Sequence, residues 1–388
     1  MMAWLPVFFL YFNEHLELKE VLFLESVYYL SVVILEVPSG FFSDRYGRRI
    51  TLILSSVFFV IAYLIFGIIE PTFIHFSIGQ VFLAAAISFN SGTDTAFYFE
   101  SLQEQGKEDE FSTLEAKVQS SLQYTGAFAV LLGGFVGAVK LNLPYIASLI
   151  FVVPALIISF KFKEPKFKTI LPELANKNQI IATLSYLKNK ELKWIFTYSV
   201  IVYILAHIPY EFYQPYLNLL DLESLSLNTA ISSGVLFALT RVFGAYAAGK
   251  SVVWTRKYGL KYMCIFSIVL QLFIIGILSL ALHPIFILIL MLRSFSMSLT
   301  TAPINAEIAP RILKEHRAGY FSLQSLGSRL AFSICLVLLT LPVGQDVIND
   351  WPTLSKELMI SCVVGAIISL SLIIVKSGQL FSKTNHNH

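Results

Sequence analysis

Charge is scarce in this 388-residue sequence: Asp, Glu, Lys and Arg make up only 14% of it, and apolar residues make up 56%. Soluble domains carry about 25% charged and roughly 45 to 50% apolar residues, so the composition points to a polytopic membrane protein. Cysteine is scarcer still. Cys264, Cys335 and Cys362 each fall inside an apolar run, which leaves no basis for a disulfide framework or a metal cluster and marks them as packing residues. No His-x-x-x-His, Cys-x-x-Cys, Gly-x-Ser-x-Gly or Gly-rich phosphate loop occurs, and the seven histidines are scattered. Neither enzyme chemistry nor a cofactor or metal is expected. A formal net charge of +3, without a basic run interleaved with aromatics, gives no reason to expect a nucleic-acid partner.

What the sequence has in abundance is long apolar runs. Eleven of them are candidate membrane spans, at about 21–42, 50–69, 73–97, 114–139, 142–160, 193–217, 226–249, 259–281, 284–302, 318–341 and 356–376. An apolar stub over 2–13 precedes them. At ~1.5 Å per residue it reaches only about 18 Å of the ~30 Å hydrocarbon core, so it reads as the remainder of a truncated first span. No basic residue precedes the stub and no small-residue cleavage site follows, which argues against a signal peptide. Counting the stub, the spans number twelve and the two termini share one side.

Lys and Arg identify that side. Twenty-one of them fall in connections on the side of the 40–52 segment, against Lys19, Lys140 and Lys356 opposite. The positive-inside rule makes the richer side cytoplasmic, with both termini there, and the expected location is the cell inner membrane. Trp194 and Trp254 at the inner boundary and Trp351 near the outer one suit an aromatic belt.

The 40–52 segment reads Gly40-Phe41-Phe42-Ser43-Asp44-Arg45-Tyr46-Gly47-Arg48-Arg49-Ile50-Thr51-Leu52. It closely resembles the signature of the major facilitator superfamily, Gly-x-Leu-Ala-Asp-Arg-x-Gly-Arg-Lys. Gly40, Asp44, Arg45, Gly47 and Arg48 match, while Phe42, Ser43 and Arg49 are conservative departures. An ordinary topogenic loop would need the arginines but not Asp44 or the glycine spacing. The resemblance implies an all-α, twelve-span fold of two six-helix bundles. The longest polar connection divides the chain accordingly, into an N-terminal bundle at 1–160, a linker at 161–192 with a possible amphipathic helix over 174–190, a C-terminal bundle at 193–376 and a tail at 377–388.

Internal echoes support two halves. Lys257-Tyr258-Gly259-Leu260-Lys261 echoes Arg45-Tyr46-Gly47-Arg48-Arg49, and Ser322-Leu323-Gln324-Ser325-Leu326-Gly327 echoes Ser121-Leu122-Gln123-Tyr124-Thr125-Gly126. Each pairs a loop or span with the one six places later. Parallel repeats around a midplane site are the arrangement the resemblance implies.

Charges inside the hydrocarbon region are costly and call for a partner or a role. They are Glu25 and Glu36 in span two, Asp94 in span four, and Arg241, Arg293 and Arg329 in spans eight, ten and eleven. Arg293 and Arg329 fall near the midplane. Either they contact an anionic group of a solute through forked hydrogen bonds, or they pair with Glu25 or Glu36 and hold helices together. In span seven, Tyr203, His207, Tyr210 and Gln214 follow helical spacing on one face and read as solute-lining or as packing with satisfied hydroxyls. Pro209 and Pro215 can bend that helix. Asn90 shares a face with Asp94 and joins the candidate lining.

By resemblance, an acid at the inner end of the fourth span pairs with the signature arginines. Asp94 is the first candidate and Glu100 the second. The same resemblance has Asp44 facing the start of span eleven, where a helix N-terminus favours a negative charge. With Gly40, Asp44, Arg45, Gly47, Arg48 and Arg49 the acid of the fourth span would form a latch present in one conformation and broken in the other. Glu25, Glu36 and Asp94 are the candidate proton carriers, and His207 could also carry a proton. Two departures weaken a drug-antiport reading: 76–82 lacks the arginine usual in exporters, and Ala129-Val130 stands where Gly-Pro would precede Gly133-Gly134. The expectation is a monomeric secondary transporter moving a small organic solute with proton coupling, an anion being among the candidates. A lipid flippase or multidrug exporter on the same scaffold is the alternative.

Overall fold

Helices account for almost all of the described backbone, as a chain must when no water is present to satisfy its peptide groups. The structure is a computed structural model and describes residues 2–16, 18–165, 181–212, 216, 219–220, 228–340 and 351–374. The first half contains α1 (Phe8–His15), α2 (Leu18–Tyr46), α3 (Arg48–Ile68), α4 (Phe73–Asn90), α5 (Thr93–Glu104), α6 (Phe111–Gly137) and α7 (Leu143–Ser159). The second contains α8 (Lys190–Glu211), α9 (Thr229–Tyr258), α10 (Leu260–Leu280), α11 (Ile287–Leu290), α12 (Arg293–Ile308), α13 (Lys314–Thr340) and α14 (Trp351–Ile374). No strand occurs among the described residues. Among the described residues, eight helical segments are long and apolar enough to cross a membrane. Residues 166–180, which include the first part of the amphipathic helix expected over 174–190, lie outside the described residues, as does the tail.

Two predicted spans are interrupted. The run at 73–97 divides at Ser91 and Gly92, where Gly92 takes a left-handed φ of 70°. The run at 284–302 divides at Met291 and Leu292, between α11 and α12. Hydropathy is continuous across both, so the apolar pattern alone reads each as one helix. Irregular backbone at membrane depth is tolerated where it is buried in protein or lines a cavity, which directs attention to both breaks.

The two halves use the same turn. Gly47 (φ 105°) separates α2 from α3, and Gly259 (φ 86°) separates α9 from α10. Only glycine adopts such angles without strain, so each supplies a one-residue reversal between long helices. The Glu164 carboxylate accepts from the backbone N–H groups of Arg48 (2.7 Å) and Arg49 (2.8 Å), satisfying donors at the start of α3 that have no partner within the helix.

One apolar core belongs to the first half, built from residues such as Trp4, Phe12, Tyr63, Phe66, Phe76 and Tyr145. A larger one is centred on Trp194, Tyr198, Leu205, Ile268, Tyr320 and Phe332 in the second. The halves meet along α2 with α13 and along α6 with α9. In the second pair a Cβ on Gly134 would lie 2.9 Å from the Gly234 Cα, so only glycine allows the backbones to cross this closely. The three cysteines are free thiols within this packing.

Candidate functional site

At the end of the molecule that carries the signature segment, an ionic cluster joins the halves. Asp44 and Arg48 are four residues apart across the Gly47 turn, and Arg48 donates to Asp44 Oδ1 at 2.5 Å and to Ser43 Oγ at 3.2 Å. Its other nitrogen reaches Glu100 Oε1 at 3.0 Å. From the second half, Arg317 approaches the same Glu100 oxygen at 3.6 Å while its guanidinium lies over the Phe99 ring. Asp44 Oδ2 accepts the Gly319 backbone N–H at 3.1 Å. Gly40 packs against Ser322, whose Oγ would be 2.6 Å from a Cβ at position 40. Asp44, Arg48, Glu100 and Arg317 are all buried, at 6, 4, 2 and 4% exposure.

This arrangement corrects the first choice of acid. Asp94 does not pair with Arg48. The break at Gly92 places Asp94 in the first turn of α5, where it accepts from Asn90 Nδ2 (3.1 Å) and the Thr95 N–H (2.7 Å). Glu100, six residues or about 9 Å further along the helix, is the residue level with the signature. Arg45 and Arg49 also stay outside the cluster: Arg45 rests over the Tyr46 ring and Arg49 donates to the Phe160 carbonyl at 2.9 Å.

Behind the cluster lies a cavity of about 220 Å³ between α5, α8, α12 and α13. Its polar walls are neutral, with Thr95, Tyr198, Ser199, Tyr203, Thr300, Thr301, Asn305, Gln324, Ser325 and Ser328 supplying hydroxyls and amides. Tyr198 donates to Thr300 Oγ1 at 3.0 Å and Gln324 to Ser199 Oγ at 2.6 Å, so the walls are cross-braced. Gly92, at the break in span four, is part of the lining.

The predicted stripe on α8 runs up from this cavity. Tyr203 lines it, and His207 stacks on the Tyr203 ring with centroids 3.8 Å apart, donating from Nδ1 to the Tyr203 carbonyl at 2.8 Å. Tyr210 lies one turn beyond, under the Arg293 guanidinium at 4.7 Å, and both line a small void with Pro209, Leu236, Phe237 and Thr240. Gln214 lies outside the described residues.

Arg329 borders the cavity through Ser325, to whose Oγ its Nε donates at 3.2 Å, and Tyr28 of α2 lies close enough to interact with its charge. The charge of Glu36 acts on it, yet no carboxylate among the described residues comes within ion-pair distance of Arg329 or Arg241. Arg241 lies across Gly126 and donates to Gln123 Oε1 at 3.1 Å, while Gln123 donates to Ser298 Oγ at 3.0 Å. Glu36 is fully buried with neither carboxyl oxygen hydrogen-bonded to a described residue, and Glu25 accepts from Gln80 at 3.1 Å. Glu115, which sequence reading passes over as an acid near a helix end, is 2% exposed and accepts from Gln119 (3.0 Å) and Asn305 (3.3 Å). Arg317 and Gln123, missed from the sequence, lack a local signal because their side-chain partners lie more than a hundred residues away in the chain and the nearer partners of Arg317 are backbone atoms.

A family model described as Major Facilitator Superfamily matches residues 1–336. A search of curated protein sequences finds no match. Among solved structures, the chain is similar to a bacterial homologue of the iron transporter ferroportin in an outward-facing state, at 15% identity over 96% of this chain and 95% of that one, with a TM-score of 0.65. It is likewise similar to the fucose:proton symporter FucP of E. coli, at 13% identity over 95% and 93%, TM-score 0.62. A third is the nucleoside transporter NupG, at 13% identity over 89% of each chain, TM-score 0.62. At these identities the likeness is one of fold.

Proposed function

The chain belongs to the major facilitator superfamily of transporters, and from that premise we propose that it moves a small organic anion across the cell inner membrane by alternating access. The observation that carries this reading is Arg329. Its Nε donates to the neutral hydroxyl of Ser325, which lines the cavity between the halves, and no carboxylate stands at ion-pair distance among the described residues. A guanidinium kept inside a membrane protein without a counter-ion is costly, and an incoming carboxylate or phosphate offsets that cost through forked hydrogen bonds. The solute's uncharged part then lies against the hydroxyls and amides of the cavity. Val202, Met297, Ile304 and Phe321 complete the lining and would take any apolar part of the solute.

The ionic cluster of Asp44, Arg48, Glu100 and Arg317 is the latch of one conformation. The excess of Lys and Arg on its side makes that side cytoplasmic. Proton coupling would run through Glu36, buried with no hydrogen-bond donor among the described residues and electrostatically linked to Arg329. A proton on Glu36 removes a charge that the site otherwise has to compensate.

The test is uptake into proteoliposomes of a panel of radiolabelled carboxylates, phosphate esters and uncharged polyols, with and without an imposed pH gradient. Transport of a carboxylate or phosphate ester that falls at least tenfold in Arg329→Gln, with the variant still monodisperse, is the expected result. Full activity in that variant, or transport confined to uncharged solutes, would remove the anion reading. Glu36→Gln is expected to abolish gradient-driven accumulation while sparing solute exchange.

A further inference from the structure

Arg317 carries the second half's charge into the latch, and its position is not set by α13 alone. Its Nε donates to the Ala309 carbonyl at 2.9 Å and an Nη to the Ile312 carbonyl at 3.1 Å, so the loop between α12 and α13 wraps around the guanidinium that meets Glu100. That loop is held in turn from the end of the linker. The Tyr186 hydroxyl accepts the Leu313 N–H at 3.3 Å and is hydrogen-bonded to His316 Nδ1 at 3.2 Å, while its ring stands edge-on to those of His316 and Tyr320. Arg311, within the loop, pairs with Glu307 of α12 and, at 2.8 Å, with Glu191 in the first turn of α8. Tyr186 thus touches residues on both sides of Arg317 and Gly319, the two positions through which α13 meets Glu100 and Asp44.

The opposite end of the linker reaches the latch as well, since Glu164 holds the Arg48 N–H. From Glu164 to Tyr186 is 22 residues, or about 73 Å when extended at ~3.3 Å each, so the linker is too long to limit opening as a tether. Its influence lies in what its ends touch. We propose that the linker's end at Tyr186 is a positioning element of the latch: it fixes the 309–313 loop in the shape that aims Arg317 at Glu100, and displacing it biases the signature end toward opening. The physical reason is preorganisation. Released from Tyr186, the loop gains conformational freedom that closing must then remove, and the closed form loses population. The Arg311–Glu191 pair, with both side chains 30% exposed, contributes little beside this, as exposed ion pairs do. The inference rests on the latch reading above and adds to it a control from outside the ionic cluster.

The full-length protein in detergent, carrying Ser322→Cys and with Cys335 and Cys362 replaced by alanine, is labelled with N-ethylmaleimide, and the modified positions are resolved by mass spectrometry. Ser322 and Cys264 are both fully buried, the first against Gly40 between the halves and the second in the core of the second half, so their rates separate opening of the latch from general loosening. Tyr186→Phe removes one hydroxyl and keeps the ring. Labelling at 322 is expected to rise about two- to tenfold, the usual worth of a hydrogen bond, with Cys264 unchanged. Tyr186→Ala should raise it further, and in an Arg317→Gln background Tyr186→Phe should add nothing. An unchanged rate at 322 in both Tyr186 variants, an equal rise at Cys264, or an undiminished effect of Tyr186→Phe in Arg317→Gln protein overturns the proposal and leaves the latch standing. Labelling at 322 that Arg317→Gln itself does not change overturns the latch reading and the proposal together.

Discussion

Glu100 and Asp94 are six residues apart, both acidic and both in the predicted fourth span, yet only Glu100 meets Arg48. A continuous helix would keep the two in one frame, and Gly92 breaks that frame. A side chain at 92 is doubly opposed, by φ of +70° and by the Phe321 Cβ, which would lie 2.7 Å from an added Cβ. Gly92→Ala is expected to destabilise the protein by about 1–3 kcal/mol, read as a lower melting temperature in detergent. Arg48→Ala leaves Asp44 and Glu100 buried with their shared cation gone. Loss of one partner of a buried pair costs ~3–5 kcal/mol, so a cysteine placed at the signature end should become more accessible to a thiol reagent in that variant. The sequence reveals Asp44 and Arg48 because their pairing is local. It does not reveal Arg317, because that contact depends on how the second half docks, whereas the resemblance sets Asp44 against the start of span eleven, where the Gly319 N–H donates to it.

At the scale of helices, hydropathy and length locate nearly every segment to within a few residues, since the bilayer thickness dictates both. The two breaks are not visible that way. Asn90-Ser91-Gly92-Thr93 has turn-forming composition, but it is flanked by apolar sequence on the scale that a span-length window averages. The close crossing of α6 and α9 at Gly134 and Gly234 is similarly silent in sequence, because a glycine in an apolar run has many uses. Its geometry gives a specific expectation. Gly234→Leu should wedge the pair apart and abolish transport while the protein still inserts and purifies, a separation checked by proteoliposome uptake beside size-exclusion chromatography.

Considered whole, the molecule is held shut at one end by contacts that must part if the solute is to leave there. Ser322 Oγ donates to the Ser91 carbonyl at 3.4 Å, placing α13 against the break in span four. In a background with Cys264, Cys335 and Cys362 replaced by alanine, Ser91→Cys with Ser322→Cys should cross-link with a short bifunctional thiol reagent. Uptake should stop on cross-linking and return on reduction of a cleavable linker; continued uptake in the cross-linked protein would show that this end does not open. The two halves were legible from echoes of loop and span. The meeting of charge with charge across them was not, because that depends on docking in three dimensions.

One contact in the latch has a genetic consequence. Asp44 holds α13 by the backbone N–H of Gly319, and a Cβ at 319 would lie 3.2 Å from the Asp44 Oδ2. Every amino acid but proline supplies that same donor, so no codon change at 319 can recreate a lost partner for position 44 by swapping side-chain charge. Suppressors of an Asp44→Ala defect are therefore not expected at position 319, and a charge-reversal exchange can test the pairing of Asp44 with Arg48 but not its contact with Gly319.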